Sequence, residues 1–208
     1  MLNIVNKLVK IIAKNKNQNI ILLRQKEIIQ WIFNDLTFLP IIDDELCMTK
    51  RKKILKKNEF EWGKKMLLLK NKNIKVNKQW TNKFGEYICE EIYTLLDKNV
   101  YIPKKINHFQ PDLETDNEII EVKTGTYGTE GTAHEKILGV PFKYADIPEL
   151  YKKPLKIFLI GESERKGRDL YGILNSNKRT DKKNKYINFF KENGIEYIAS
   201  TDLLKSLI

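Results

Sequence analysis

The chain has 208 residues, 41% hydrophobic and 31% charged, and a formal net charge of +11. That length suits one domain, or one domain with a substantial extension, and the apolar content suits a packed core and excludes chain-wide disorder. No apolar run approaches the roughly twenty residues of a membrane span, and the apolar start, Met1 to Ile12, is broken by lysines with no small-residue cleavage site after it, so neither a membrane protein nor a signal peptide is expected.

Cys47 and Cys89 show no ligand spacing and read as reduced thiols of a cytoplasmic protein. The charge is one-sided. Residues 1–80 hold 18 Lys and Arg against 7 Asp and Glu, whereas residues 81–208 hold 20 of each. A basic excess confined to one region points to a polyanion, usually nucleic acid.

In chain order, Ile4, Val5, Leu8, Val9, Ile11 and Ile12 recur at helical spacing, as do Leu22, Ile28, Ile29, Ile32 and Leu36, with Trp31 and Phe33 widening that face. Both stretches read as core or dimer helices. Pro40 ends the region, and Asp43-Asp44-Glu45 suits a helix N-terminus better than a metal site. Lys50 to Lys78 interleaves lysines with Phe60, Trp62 and Leu67 to Leu69, compensated only by Glu59 and Glu61. It reads either as a solvated lysine face or as a surface contacting phosphates through Lys52, Lys53, Lys56 and Lys57. Thr81 can cap a helix running to about Asp97, with Phe84, Ile88, Ile92 and Leu95 on one stripe and Glu86 and Glu90 beside it.

The stretch Phe109 to Lys123 carries Pro111-Asp112 and, after eight residues, Glu121-Val122-Lys123. Thr115-Asp116-Asn117 supplies turn chemistry, so a β-hairpin is expected that sets Asp112 beside Glu121. Strand alternation points Glu121 and Lys123 to one face, and Ile120 and Val122 to the other, buried one. Two converging carboxylates hold Mg²⁺, and a neighbouring ammonium can orient water or offset phosphate charge, which suits phosphodiester hydrolysis. A salt-bridged surface hairpin is the competing reading, and these residues alone do not separate the two.

Beyond Lys123 a glycine- and threonine-rich run to Gly131 reads as a loop. Thr132-x-x-Glu135 reads as a capping box opening a short helix, with His134 and Lys136 at its start, and Pro141 as restarting a helix through Tyr144. His108 falls on the first strand of the hairpin. Leu155 to Gly161 is apolar almost throughout and reads as a central strand. GESERKGRDL reads as a loop whose Arg165 and Arg168 are candidates for reading guanine edges. Tyr186 to Lys191 is expected as a helix closed by Gly194, and Ile195 to Ala199 as a last strand.

Pro111-Asp112 and Glu121-x-Lys123, behind a helix carrying Glu86, resemble the signature of the PD-(D/E)XK nuclease superfamily, and of its type II restriction endonucleases in particular. Residues 131–151, GTAHEKILGVPFKYADIPELY, resemble a stretch of those enzymes. The resemblance implies an α/β (α+β mixed) fold. Its restriction-endonuclease-like core over residues 80–208 would be a central mixed β-sheet flanked by helices in the order αβββαβ. A helical, basic N-terminal extension over residues 1–79 would contact DNA backbone or dimerise. The resemblance further implies Asp112 and Glu121 as metal ligands, Lys123 as the water-orienting or electrostatic group, and Glu86, with Glu90 as the alternative, as the helix glutamate. Mg²⁺, replaceable by Mn²⁺, would be the cofactor. The implied activity is site-specific cleavage of double-stranded DNA by a cytoplasmic homodimer, beside a cognate DNA methyltransferase. Candidate DNA contacts are Lys52, Lys53, Lys56, Lys57, Thr132, His134, Lys136, Arg165 and Arg168. A junction resolvase or repair nickase of the same superfamily, and a DNA-binding module without chemistry, are the alternatives.

Overall fold

The computed structural model describes residues 2–39, 47–70, 81–125, 135–174 and 177–208. Pro40, the acidic triplet Asp43 to Glu45, residues 71–78 of the basic segment, and Thr132 and His134 lie outside the described residues.

The protein is a mixed α/β structure around a four-stranded sheet in the order β1-β2-β3-β4. The strands are β1 (Leu113–Glu114), β2 (Ile119–Gly125), β3 (Leu155–Gly161) and β4 (Ile195–Ala199). β1 is antiparallel to β2, while β2, β3 and β4 run parallel, with Ile119 opposite Leu155 and Leu155 opposite Ile195. Both faces of β3 are covered, which is why its sequence shows no polar alternation.

One face carries Ile120, Val122, Phe158 and Ile160. Packed on it are α1 (Leu2–Lys14), α2 (Lys26–Ile32), α3 (Cys47–Lys70), α4 (Thr81–Leu95) and Leu204 of α9 (Ser200–Lys205). The apolar cluster therefore runs without a break from Val5 to Leu204 and joins the N-terminal helices directly to the sheet. The other face carries Ile119, Ile157 and Leu159 under α5 (Lys136–Lys143), α6 (Ile147–Tyr151) and α8 (Asp181–Glu192).

The second apolar stretch is helical over a shorter span than its periodicity suggests. The backbone N–H groups of Leu22 and Leu23 donate to the two carboxylate oxygens of Glu91 on α4, both at 2.9 Å, so α2 begins only at Lys26. Burial raises the Glu91 pKa, against the opposing pull of those amides.

Gly85 sets how closely α4 meets the sheet. A Cβ there would lie 1.5 Å from Oγ1 of Thr124 on β2, so only glycine allows this approach.

Four local expectations are corrected. The hairpin turn is organised by Thr115, whose hydroxyl accepts from the N–H groups of Asn117 and Glu118, rather than by Asp116 or Asn117. His108 lies in a turn between the bridge partners Ile106 and Phe109, not on a strand. Pro141 sits inside a single helix, α5, instead of starting another, while the Thr132 half of the expected capping box lies outside the described residues. Residues 162–171 are not a loop but α7 (Glu162–Lys166) followed by a π-helical turn, Gly167–Tyr171. Buried Glu164 fixes that segment: Oε2 accepts from the Ser200 hydroxyl at 2.7 Å and the Thr201 N–H at 3.0 Å, and Oε1 from Arg168 Nε at 3.1 Å.

Among the described residues, two strands rather than the expected three lie between α4 and α5, with an isolated bridge beside them. Tyr101 bridges Glu114 through paired backbone bonds of 2.7 and 2.9 Å, so α4 is followed by this bridge, β1, β2, the α5–α6 pair and β3.

Candidate active site

The hairpin register pairs Leu113 with Ile120 and Glu114 with Ile119. Extended by one residue, it sets Asp112 opposite Glu121, on one face of the sheet. Asp112 leaves the strand here and its side chain takes over the ladder: Oδ2 accepts the Val122 N–H at 2.8 Å. That bond fixes the carboxylate at the edge of β2.

Glu121 is only 5% exposed. One oxygen, Oε1, receives the Lys123 ammonium, which also lies 3.4 Å from the Val122 carbonyl. The other, Oε2, is buried without a hydrogen-bond partner among the described residues. Burial pushes the Glu121 pKa up and neighbouring Asp112 adds to it, against the pull of Lys123. Such an unmet buried carboxylate oxygen is costly unless something else meets it.

Glu86 lies on α4, buried, and takes the Lys83 ammonium. Its pKa is raised, first by burial and also by Asp112, while Lys83 and Lys123 oppose the shift. It is therefore within electrostatic range of the hairpin site. Glu90, one turn on, is more exposed and pairs with Lys70.

One further group at this site carries no sequence signal of its own. Tyr144, from the end of α5, is buried beside Glu121; burial and that carboxylate push its phenol up to about 12. The phenol draws the Glu121 pKa down a little, yet it stops short of a well-formed hydrogen bond to Oε2. Its oxygen accepts instead from Lys143 Nζ at 3.1 Å. Nothing in the spacing between residues 121 and 144 announces this neighbourhood, because it depends on how α5 folds back over the sheet.

The donor set suits a hard divalent cation. Mg²⁺ needs only one or two carboxylates and keeps waters for its other positions. Asp112 supplies one fixed carboxylate, and Glu121 an oxygen with no hydrogen-bond partner. Among the described residues no group of three or more His, Cys, Asp or Glu could hold a metal ion, so a site requiring a full protein cage is not present there.

The other described candidates sit on α3, at the start of α5, on α7 and in the turn after it. Lys52, Lys53, Lys56 and Lys57 are all exposed on α3, and Lys136 is exposed at the start of α5. Arg165 pairs with buried Glu162. Arg168 pairs with Glu164 and, at 2.7 Å, with Asp202, clamping α7 and the turn after it to α9. No helix among the described residues is long and apolar enough to cross a membrane.

Comparison with protein-family models, with curated proteins and with solved structures finds no match to this chain.

Proposed function

We propose that the chain is a Mg²⁺-dependent, site-specific endonuclease acting on double-stranded DNA, a type II restriction endonuclease of the PD-(D/E)XK kind. The observation that carries this reading is the unmet, buried Oε2 of Glu121 across the hairpin from a fixed Asp112, with the Lys123 ammonium held between strand and site.

Asp112 and Glu121 would hold the metal, which when bound supplies a Lewis acid for the phosphate and an acidified water as nucleophile. The protein's own groups do the rest. The Val122 N–H keeps Asp112 aimed. Lys123 sits beside Glu121, where its charge offsets the negative charge growing on the phosphate and its N–H groups can steer the attacking water. Glu86 adds a further carboxylate near Asp112. Cutting both strands of a two-fold symmetric site calls for two copies of the chain.

Plasmid DNA incubated with the protein tests this reading. Discrete fragments are expected with Mg²⁺ or Mn²⁺, binding with little cutting with Ca²⁺, and no cutting with excess EDTA. Cutting confined to branched substrates would replace this reading with a structure-specific nuclease. Binding without any cutting in Mg²⁺ would leave a DNA-binding module, and robust cutting in EDTA would remove the metal.

The lysines of α3 carry a second expected result. If Lys52, Lys53, Lys56 and Lys57 contact phosphates, each contact steepens the log–log dependence of affinity on salt by about 0.9. Replacing all four by glutamine should make that slope shallower and weaken cognate and non-cognate binding alike, leaving the cleaved sequence unchanged. An unchanged slope across a salt series would reduce these residues to a solvated face.

A further inference from the structure

A groove of about 630 Å³ opens beside Asp112. Its walls are the end of α3 (Lys70), one side of α4 (Lys83, Glu86, Tyr87 and Glu90), the segment Val100 to Ile102, and Gln110 to Leu113. That volume is in the range of small-ligand sites, which run roughly 300–1,000 Å³. Two features describe what it accepts.

The first is charge. The groove presents three carboxylates, Glu86, Glu90 and Asp112, against two ammoniums, and each ammonium is already taken: Lys70 by Glu90 and Lys83 by Glu86. Away from the Asp112 end, between Glu86 and Glu90, a phosphate would be repelled. The part of a ligand that enters that stretch is uncharged or cationic, not anionic.

The second is an exposed apolar platform. Tyr101 is 47% exposed and Ile102 81% exposed, at the rim of a concave surface. The backbone that carries them is anchored, because Tyr101 is tied to Glu114 by two backbone hydrogen bonds and Pro103 follows Ile102. Gln110, also exposed, adds an amide that offers both donor and acceptor. A flat, uncharged face with hydrogen-bonding edges fits this combination, which is the chemistry of a nucleobase: aromatic stacking below, an amide at the edge.

We propose that this groove takes the base of the nucleotide adjoining the scissile phosphate, with Tyr101 as its stacking platform and Gln110 reading its edge. The proposal rests on the nuclease reading, since the groove shares Asp112 with the reaction centre. The phosphate stays at the Asp112 end and the base passes toward Tyr101 and Ile102. To enter, the base leaves the duplex stack, which costs least where it is mismatched.

Cleavage of a random-sequence duplex library in Mg²⁺, followed by sequencing of the new ends, tests this whatever sequence the protein cuts. Wild type should show a base preference at the position adjoining the cut. Gln110→Ala should flatten that preference while leaving the rest of the cleaved sequence intact. Tyr101→Ala should lower kcat/KM about tenfold to a hundredfold, and Tyr101→Phe, which keeps the ring, should match wild type. A mismatch at that base pair should speed wild type and leave Tyr101→Ala unchanged. Wild-type cutting with Tyr101→Ala and Gln110→Ala indistinguishable from it overturns the groove assignment alone. A wild-type protein that cuts nothing in Mg²⁺ overturns the nuclease reading and the groove with it.

Discussion

Glu121→Gln should lower DNA cleavage on the order of a thousandfold and, in the same protein, raise the thermal stability of the metal-free state at neutral pH. The loss of activity follows from removing a charged ligand whose second oxygen has no hydrogen-bond partner among the described residues. The gain in stability follows from linkage. Burial and Asp112 raise the Glu121 pKa in the folded state. Between the unfolded and folded values the folded protein binds more protons, so stability falls as pH rises through that window. Above that window the cost of ionising buried Glu121 is present in full, and glutamine removes it while keeping the shape. Melting curves of wild type and variant in EDTA, across pH, check the sign: the variant should gain most at neutral pH, and the two should converge at acid pH. Added Mg²⁺ should stabilise wild type more than the variant. A variant that melts below wild type at every pH would make Glu121 a structural ion-pair partner of Lys123.

Gly85→Ala is expected to be the most disruptive small substitution outside the reaction centre. The new Cβ would fall 1.5 Å from Thr124 Oγ1 and 2.8 Å from Thr124 Cβ, so α4 and β2 must separate. Overpacking of this severity costs about 3 kcal/mol or more, which is about 10 °C in Tm for a chain of this size. Adding Thr124→Ala removes the oxygen but leaves the Cβ contact, so the double variant should recover part of the loss. Thr124→Ala alone should cost little, because its hydroxyl is buried without a hydrogen-bond partner among the described residues. A double-mutant cycle then reads a favourable coupling between the two positions. Activity should fall with Gly85→Ala as well, since Glu86 rides on the same turn of α4. Wild-type stability in Gly85→Ala would mean that α4 does not meet β2 as described.

The hairpin is legible in the sequence because its signals are local. Two-residue alternation sets Glu121 and Lys123 on one face with Ile120 and Val122 on the other, and the spacing between Asp112 and Glu121 matches a turn of four residues. β3 is legible at its full bounds because a parallel strand buried on both faces is apolar almost without interruption. β4 is legible because Gly194, at positive φ, marks where α8 ends and the strand begins. The misread segments depend on partners distant in sequence. Glu91 shortens α2 from 68 and 69 positions away. Glu164 turns residues 162–171 into helix by binding Ser200 and Thr201. The same holds at the site: Tyr144 reaches Glu121 only through the fold, and the groove lined by Tyr101, Ile102 and Gln110 joins segments that no periodicity connects.

The most direct test of the reaction centre is a plasmid cleavage assay in Mg²⁺ with wild type and Asp112→Asn, expressed and purified in parallel. Asparagine keeps an oxygen for the Val122 N–H, so hairpin geometry should persist while the charge that would hold the metal is lost. The account predicts discrete cleavage by wild type and none above background by Asp112→Asn, with both proteins melting as folded chains. Equal cleavage by the two preparations, or no cleavage by wild type, would contradict it.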